Sequence, residues 1–269
     1  MKFPAYAWVA ACLVAVQASI GAAQEADPTP SELRLKRMRR IAERVQVTVQ
    51  INEQMKQISL VDTSLLRFSD PTRELHDATV WAWGTDGRPA CLLTVELYGD
   101  SSHFELISLT DVKVAATAGD RKWNPQSAGL TMQRMSDWPK PVKETPLRLA
   151  QMKELLGKLS AHEIRVNGKR FELRLLAKPI HRYSAPTEQV LDGAIFVFAN
   201  GTNPELLAVI EACGEGIDSG TWRIGFARSG AAELHVVLDE HEFFHAPLDR
   251  GTRPNDPYWI FEDRSLAKE

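Results

Sequence analysis

The chain has 269 residues, 44% of them apolar and 25% charged, which is the composition of an ordinary folded globular protein. Its formal net charge is −3, so it lacks the overall positive field that attracts nucleic acid, and no nucleic-acid partner is expected. The length predicts one or two domains.

The N-terminal segment is typical of a secretory signal peptide. An apolar stretch at residues 5–20 is followed by the small residues of a cleavage site at 21–23. The sequence therefore predicts a signal peptide over residues 1–23 and export to the periplasm or the extracellular space. The apolar stretch is too short for a confident membrane anchor, so the mature chain is not expected to be an integral membrane protein.

A basic helix is predicted next. Ser31 is a suitable N-cap residue, and apolar residues recur at helical spacing from Leu35 to Val45. The rest of this helix is basic and includes Arg34, Arg37, Arg40 and Arg44. These arginines form either a solvated face or a patch for an anionic component of the cell envelope.

A strand pair follows the helix. Apolar residues alternate from Val45 to Ile51, and Asn52 and Glu53 provide the turn of a hairpin.

Residues 67–96 align with residues 182–211 without a gap, at an offset of 115 positions. Eight of the thirty aligned pairs are identical, and others exchange similar residues, as in Trp81 and Phe196. A repeat at this period indicates a duplicated structural unit.

The second copy contains the same predicted elements as the first. A helix is expected over residues 145–160, and Asn167-Gly168 is a strong hairpin turn. We expect an α+β protein with an internal duplication, in which each copy is one helix followed by an antiparallel sheet of about six strands. The predicted halves are residues 24–140 and 141–269.

Two residues of the repeat suggest a site in each half. Arg67 and Glu96 recur as Arg182 and Glu211. They form either two pseudo-equivalent sites that bind an anion or another ligand, or one structural pair of arginine and carboxylate in each half.

Other residues of the repeat have simpler interpretations. Asp77 and Asp192 are expected to fix a turn through bonds to the backbone. The alternating aromatic residues of the same region predict either core or an exposed platform for a sugar or peptide. Cys91 and Cys213 are expected either to pair or to remain buried free thiols.

The residues His241-Glu242-Phe243-Phe244-His245 match H-E-x-x-H. In zinc metallopeptidases the two histidines lie one helical turn apart and bind the metal, while the glutamate activates water. One interpretation of the chain is therefore a zinc-dependent hydrolase, with His241 and His245 as ligands and Glu242 as the base. Adventitious metal binding by the two histidines is another.

The surrounding pattern favours a strand over the helix that this motif requires. Apolar residues alternate from Leu234 to Leu238, and Pro247 follows the second histidine closely. On a strand, Glu242 would face away from both histidines. No third ligand is evident beyond Glu262.

Four segments resemble a family of exported bacterial proteins of unknown function that is associated with planctomycetes. They are Leu65–Thr72, Trp81–Pro89, Leu173–Tyr183 and Gly201–Ala212. Because the segments fall in both copies, the resemblance covers most of the mature chain. It implies export but carries no assigned activity and no catalytic residues, and the family does not generally hold H-E-x-x-H at this position.

The sequence thus favours an exported, non-catalytic binding or structural module of the cell envelope that needs no cofactor. The alternative is the zinc-dependent hydrolase, and the two differ in whether residues 238–246 form a hairpin or a helix. A third interpretation is polyanion binding through the basic helix, which predicts an affinity that falls steeply with salt.

Overall fold

The computed structural model describes residues 27–99, 101–214, 220–263 and 266. The predicted signal peptide at residues 1–23 lies outside this part of the chain. Among the described residues, none of the helices has the length and apolar character needed to cross a membrane.

The described residues up to position 123 contain one helix and eight strands. They are α1 (Pro30–Glu43), β1 (Val45–Ile51), β2 (Gln54–Ile58), β3 (Leu66–Asp70), β4 (Leu75–Trp83), β5 (Cys91–Tyr98), β6 (Ser101–Ser108), β7 (Val114–Ala118) and β8 (Arg121–Trp123). A 3-10 turn, Pro71–Arg73, separates β3 from β4.

The described residues after position 123 contain one further helix and ten strands. They are β9 (Gln133–Met135), α2 (Thr145–Leu156), β10 (Leu159–Ile164), β11 (Arg170–Leu175), β12 (His181–Ala185), β13 (Val190–Asn200), β14 (Asn203–Cys213), β15 (Thr221–Arg228), β16 (Glu233–Leu238), β17 (His241–Ala246) and β18 (Tyr258–Glu262). A 3-10 turn, Pro186–Glu188, separates β12 from β13.

A capping box starts α1 two positions earlier than the sequence predicts, with Thr29 as the N-cap. The Thr29 hydroxyl accepts a hydrogen bond from the Glu32 amide, and the Glu32 carboxylate accepts one from the Thr29 amide. Pro30 then occupies the first helical position, where a missing N–H has no cost. The predicted cap Ser31 therefore lies inside the first turn.

The described strands form three antiparallel sheets. Their orders are β2-β1-β7-β8, β18-β6-β5-β4-β3 and β17-β16-β10-β11-β13-β14-β15-β9, and β12 also pairs with β13. Two helices with several antiparallel sheets fit the expected α+β class, although the described strands contain far more residues than the helices. Together the three described sheets contain 18 strands, which exceeds the prediction of about six strands per copy.

Two short strands cross between the predicted halves. β9 belongs to residues 24–140 but pairs with β15, with Met135 opposite Trp222. β18 belongs to residues 141–269 but pairs with β6, with Tyr258 opposite Ile107. Each half therefore completes the edge of a sheet in the other half.

The central strands are buried on both faces. In β4, Trp81 and Trp83 face an outer core that includes α1, while Val80 and Ala82 face a middle core. Strand β13 alternates in the same way between the middle core and a second outer core with α2. The middle core thus lies between two sheets, and the alternating aromatic residues are core rather than an exposed platform.

The two described cysteines are buried and unpaired. Cys91 lies in the outer core near α1, whereas Cys213 lies in the middle core. Burial raises the pKa of the Cys213 thiol to about 11, so this group stays protonated at neutral pH. The interpretation of these residues as buried free thiols is the one that the structure shows.

One aspartate on β4 ties α1 to the sheet. The Asp77 carboxylate accepts hydrogen bonds from Arg67 Nε at 2.8 Å and from Arg34 Nε at 2.9 Å. Arg67 also donates to the Ser31 carbonyl in the first turn of α1. Burial opposes ionisation of Asp77, but the two arginines outweigh it and lower its pKa. Asp77 therefore binds two guanidinium groups, whereas the sequence predicted that it would bind the backbone of a turn.

The same arrangement occurs at α2. Asp192 on β13 accepts hydrogen bonds from Arg182 Nε at 2.9 Å and from Arg148 Nε at 3.0 Å, and Arg182 donates to the Thr145 carbonyl. The Arg148 side chain is only 9% exposed, whereas that of Arg34 is 39% exposed. The charge of Arg148 therefore depends more strongly on its aspartate.

Replacing the two aspartates is expected to destabilise the fold unequally. The Asp192→Ala variant leaves the buried Arg148 guanidinium without a counter-charge, which costs about 3–5 kcal/mol of unfolding free energy. The Asp77→Ala variant leaves Arg34 partly solvated and costs about 1.5–3 kcal/mol. Urea unfolding of both variants measures the difference.

An exposed ion pair provides the control for this comparison. Arg170 and Glu172 lie 2.7 Å apart, and both side chains are more than half exposed. The Glu172→Ala variant is expected to cost less than about 1 kcal/mol. Equal losses in the two aspartate variants would contradict the role assigned to the burial of Arg148.

Candidate functional site

A cleft of about 450 Å³ lies between the 3-10 turn after β3 and strands β10 and β14. Its charged lining consists of Arg73 from the first half and of Glu163, Arg165, Glu205 and Arg250 from the second. Leu248 and small residues complete the wall. The volume lies within the range of small-molecule sites in proteins.

Glu163 on β10 is fully buried beside this cleft. Its Oε1 accepts hydrogen bonds from Arg165 Nε at 2.7 Å and from Asn200 Nδ2 at 2.8 Å. Its Oε2 is buried and has no hydrogen-bond partner among the described residues. A buried acceptor without a donor costs free energy, so this atom marks a place where a ligand can supply one.

Glu205 on β14 is the second buried carboxylate of the cleft. Its Oε1 accepts hydrogen bonds from Arg73 Nη2 and from Asn203 Nδ2, both at 2.9 Å. Burial, reinforced by the charge of Glu163, raises the pKa of Glu205 to about 7. Among the described residues, Arg250 forms no ion pair, so the rim keeps a positive charge available to a ligand.

Glu96 does not contact Arg67. It is buried, and the Tyr98 hydroxyl donates to its Oε2 at 3.1 Å. Burial raises the pKa of Glu96 to about 7. The neighbouring Glu105 accepts a hydrogen bond from the Tyr258 hydroxyl at 2.9 Å, and burial raises its pKa well above the usual range. This part of the middle core therefore holds carboxyl groups that favour the protonated form.

Glu211 likewise does not contact Arg182. Its Oε1 accepts hydrogen bonds from the Tyr183 hydroxyl at 2.7 Å and from Arg88 Nη1 at 3.2 Å, and its Oε2 accepts one from Arg223 Nη2 at 2.9 Å. Because Arg88 belongs to the first half, Glu211 joins the two halves.

The residues of the predicted repeat site are thus apart in both halves. Arg67 and Arg182 bind Asp77 and Asp192, and the glutamates lie in the sheet interior. Their predicted role in ligand binding stays a prediction.

The H-E-x-x-H residues form a strand and not a helix. Strand β17 runs antiparallel to β16 after a turn at Asp239 and Glu240, whose φ angles are 49° and 66°. The two histidines of the motif therefore do not lie one helical turn apart. His241 is exposed, while Glu262 contacts His103 at 3.0 Å in another sheet. The helical zinc geometry of this motif is not formed.

A β-bulge changes which residues of β17 share a face. His245 lies opposite His235, and Glu242 lies opposite Val237, so one extra residue is inserted near Phe243. Residues that lie opposite each other point to the same face, and His235 and Val237 share one face. The bulge therefore puts Glu242 on the face of His245, where the sequence predicted opposite faces.

Three histidines form a row across strands β10, β16 and β17. The ring of His235 stacks on those of His162 and His245, with centroid distances of 4.6 and 4.7 Å. Glu233 Oε1 lies 3.0 Å from His245 Nε2 and 3.2 Å from His235 Nε2. Glu242 Oε1 lies 2.7 Å from His235 Nδ1.

Sequence reasoning missed Glu233, His235 and His162. The signal present in the sequence is the alternation of Glu233 and His235 on the strand that leads into the motif. It becomes informative only once the register of β16 with β17 is known.

At least three of the four arginines of the predicted basic patch form hydrogen bonds to other parts of the fold. Arg34 binds Asp77, Arg37 donates to the Ser102 hydroxyl at 3.5 Å, and Arg44 donates to the Leu266 carbonyl at 2.9 Å. Arg40 lies in the last turn of α1. Binding of an anionic envelope component by this helix stays a prediction.

Comparison of the chain with protein-family models, curated proteins and solved structures finds no match. The resemblance to exported planctomycete proteins therefore stays a prediction.

The buried carboxyl groups predict that the fold is more stable in mild acid. Glu96 and Glu205 have pKa values near 4.5 when unfolded and about 7 when folded. Between these values the folded state binds more protons than the unfolded state, so the free energy of unfolding falls as pH rises from about 4.5 to 7. Thermal unfolding at pH 5.5 and at pH 8 is expected to give the higher Tm at pH 5.5.

The Glu96→Gln variant tests the origin of this pH dependence. Glutamine keeps an oxygen acceptor for Tyr98 but cannot ionise, so its Tm is expected to rise at pH 8 and to vary less with pH. The exposed Glu172→Gln variant should retain the wild-type profile. A Tm that rises steadily from pH 5.5 to 8 would contradict the assignment.

Proposed function

We propose that this chain is an exported, non-catalytic binding module of the cell envelope, and that it binds a small ligand in the cleft beside Glu163. One observation carries the proposal. Glu163 is fully buried, yet one of its carboxylate oxygens has no hydrogen-bond partner among the described residues. A ligand that donates a hydrogen bond there removes this cost.

We also infer that the two halves derive from an internal duplication. Support comes from the eight identities in thirty aligned positions and from the shared order of elements in residues 30–123 and 145–246. The two aspartates, Asp77 and Asp192, also bind equivalent pairs of arginines. Equivalent positions in the two halves can therefore be compared.

A second cleft, of about 640 Å³, lies at the corresponding place in the first half. Val49 on β1 corresponds to Glu163 on β10. The two residues lie at equivalent positions of the strand pairs β1–β7 and β10–β16. Ala90 takes the position of Glu205 in the ungapped repeat. The fold therefore accommodates apolar residues at both positions. Since burying carboxylates costs stability, we infer that Glu163 and Glu205 are present for a ligand and not for the fold.

The charges around the cleft suggest the chemistry of the ligand. The free Oε2 of Glu163 calls for a donor such as an ammonium or amide N–H. Arg250 and the outer parts of Arg73 and Arg165 offer guanidinium groups, which bind carboxylates well. We infer a ligand that carries both groups, such as an amino acid or a short peptide.

A panel of amino acids and dipeptides tests this proposal by thermal shift and calorimetry. At least one member is expected to raise the Tm of the wild-type protein. The Glu163→Gln variant is expected to bind that ligand at least ~10-fold more weakly, because a charged hydrogen bond is lost. The unliganded variant should unfold at the same Tm as the wild type or above it.

The second cleft supplies the matched control. The Val49→Ala variant changes the equivalent position in the first half and should leave ligand affinity unchanged. The proposal fails if no member of the panel binds. It also fails if Glu163→Gln binds as tightly as the wild type.

A zinc-dependent hydrolase built on the helical H-E-x-x-H is not proposed, because residues 241–246 form a strand.

A further inference from the structure

We propose that Glu233, His235 and His245 form a binding site for a zinc ion. One ligand atom from each residue lies within 4.8 Å of the others, and these three form a group of metal-ligating side chains on adjacent strands. None of them lines the cleft of the proposed function, so the two proposals are independent. The site also differs from the predicted one, since it uses Glu233 and His235 and leaves out His241.

The distances from Glu233 to the two histidines are close to those of a tetrahedral ion, and the three ligand atoms lie within 4.8 Å of one another. Glu233 Oε1 lies 3.0 Å from His245 Nε2 and 3.2 Å from His235 Nε2. Two atoms that bind zinc at about 2.0–2.1 Å in tetrahedral geometry are about 3.3–3.4 Å apart. These two distances therefore need to change by only a few tenths of an ångström when an ion binds.

The orientation of His235 supports this role. Its Nδ1 lies 2.7 Å from Glu242 Oε1. Because a carboxylate accepts hydrogen bonds, Nδ1 carries the ring proton and donates a hydrogen bond to Glu242. The other ring nitrogen, Nε2, then has a free lone pair. This Nε2 is buried and forms no hydrogen bond, although the Glu233 oxygen is 3.2 Å away. A cation between the two atoms satisfies both of them, and a carboxylate behind a ligating histidine is the usual support in metal sites.

The row of histidines adds rigidity to this arrangement. His162 stacks on the face of His235 at a centroid distance of 4.6 Å. The face of the His162 ring therefore covers one side of the ligand ring of His235.

The donor set selects the type of ion. Two imidazole nitrogens and one carboxylate oxygen suit zinc and related transition metals, whereas magnesium and calcium prefer oxygen ligands. Glu233 and His245 are 34% and 41% exposed on the outer face of the sheet. A bound ion therefore has three protein ligands and a fourth position open to water or to a group from another molecule.

Zinc titration of the purified protein, prepared without a histidine tag and stripped with a chelator, tests the site. Calorimetry is expected to give about one ion per chain. The His235→Ala and His245→Ala variants should each bind at least ~10-fold more weakly, and Glu242→Gln about 10–100-fold more weakly because it only positions His235. Cobalt substitution should produce the visible absorption of a tetrahedral site.

His241→Ala is the matched control. His241 belongs to the same sequence motif but not to the cluster, so this variant should bind zinc as tightly as the wild type. Circular dichroism and Tm without metal check that each variant folds, and His245→Gln replaces any variant that does not. The proposal is overturned if the wild type binds no zinc in excess metal. An equal loss of affinity in His241→Ala and His245→Ala would also overturn it.

Discussion

The burial of both faces of the central strands is the constraint on which the rest of the structure depends. Strand β4 sends Trp81 and Trp83 to one core and Val80 and Ala82 to another, and β13 alternates in the same way. Strands of this kind have no exposed face on which to display functional side chains. Both candidate sites therefore lie where the layers end, at a 3-10 turn and on the outermost strand pair.

The buried carboxyl groups of this layered fold have two kinds of environment. Where two arginines reach one carboxylate, as at Asp77 and Asp192, the pair fixes a helix against its sheet. Where a carboxylate accepts hydrogen bonds mainly from tyrosine hydroxyls, as at Glu96 and Glu105, burial raises its pKa. Polar residues of the first kind fix helices against sheets in both halves, whereas the buried carboxylates Glu163 and Glu205 have apolar residues, Val49 and Ala90, at the equivalent positions of the first half.

Local sequence patterns predicted the local structure well, but they did not predict contacts between distant segments. The hairpin at Asn167-Gly168 and the strand character of residues 241–246 followed from turn chemistry and alternation. The partner of Asp77 was missed because Arg34 lies 43 positions away in a helix. The grouping of Glu242 with His245 was missed because counting in twos assumes an unbroken strand, and one inserted residue reverses the faces.

The exchanged edge strands have a consequence for the order of folding. Strand β6 is paired on one side by β5, but its other neighbour, β18, lies near the end of the chain. A ribosome makes the first half long before this strand exists. Until then β6 presents a row of unpaired amides and carbonyls, which other chains can bind. Any state in which the first half folds before residues 258–262 dock therefore exposes the edge of β6, and pairing with β18 closes that edge.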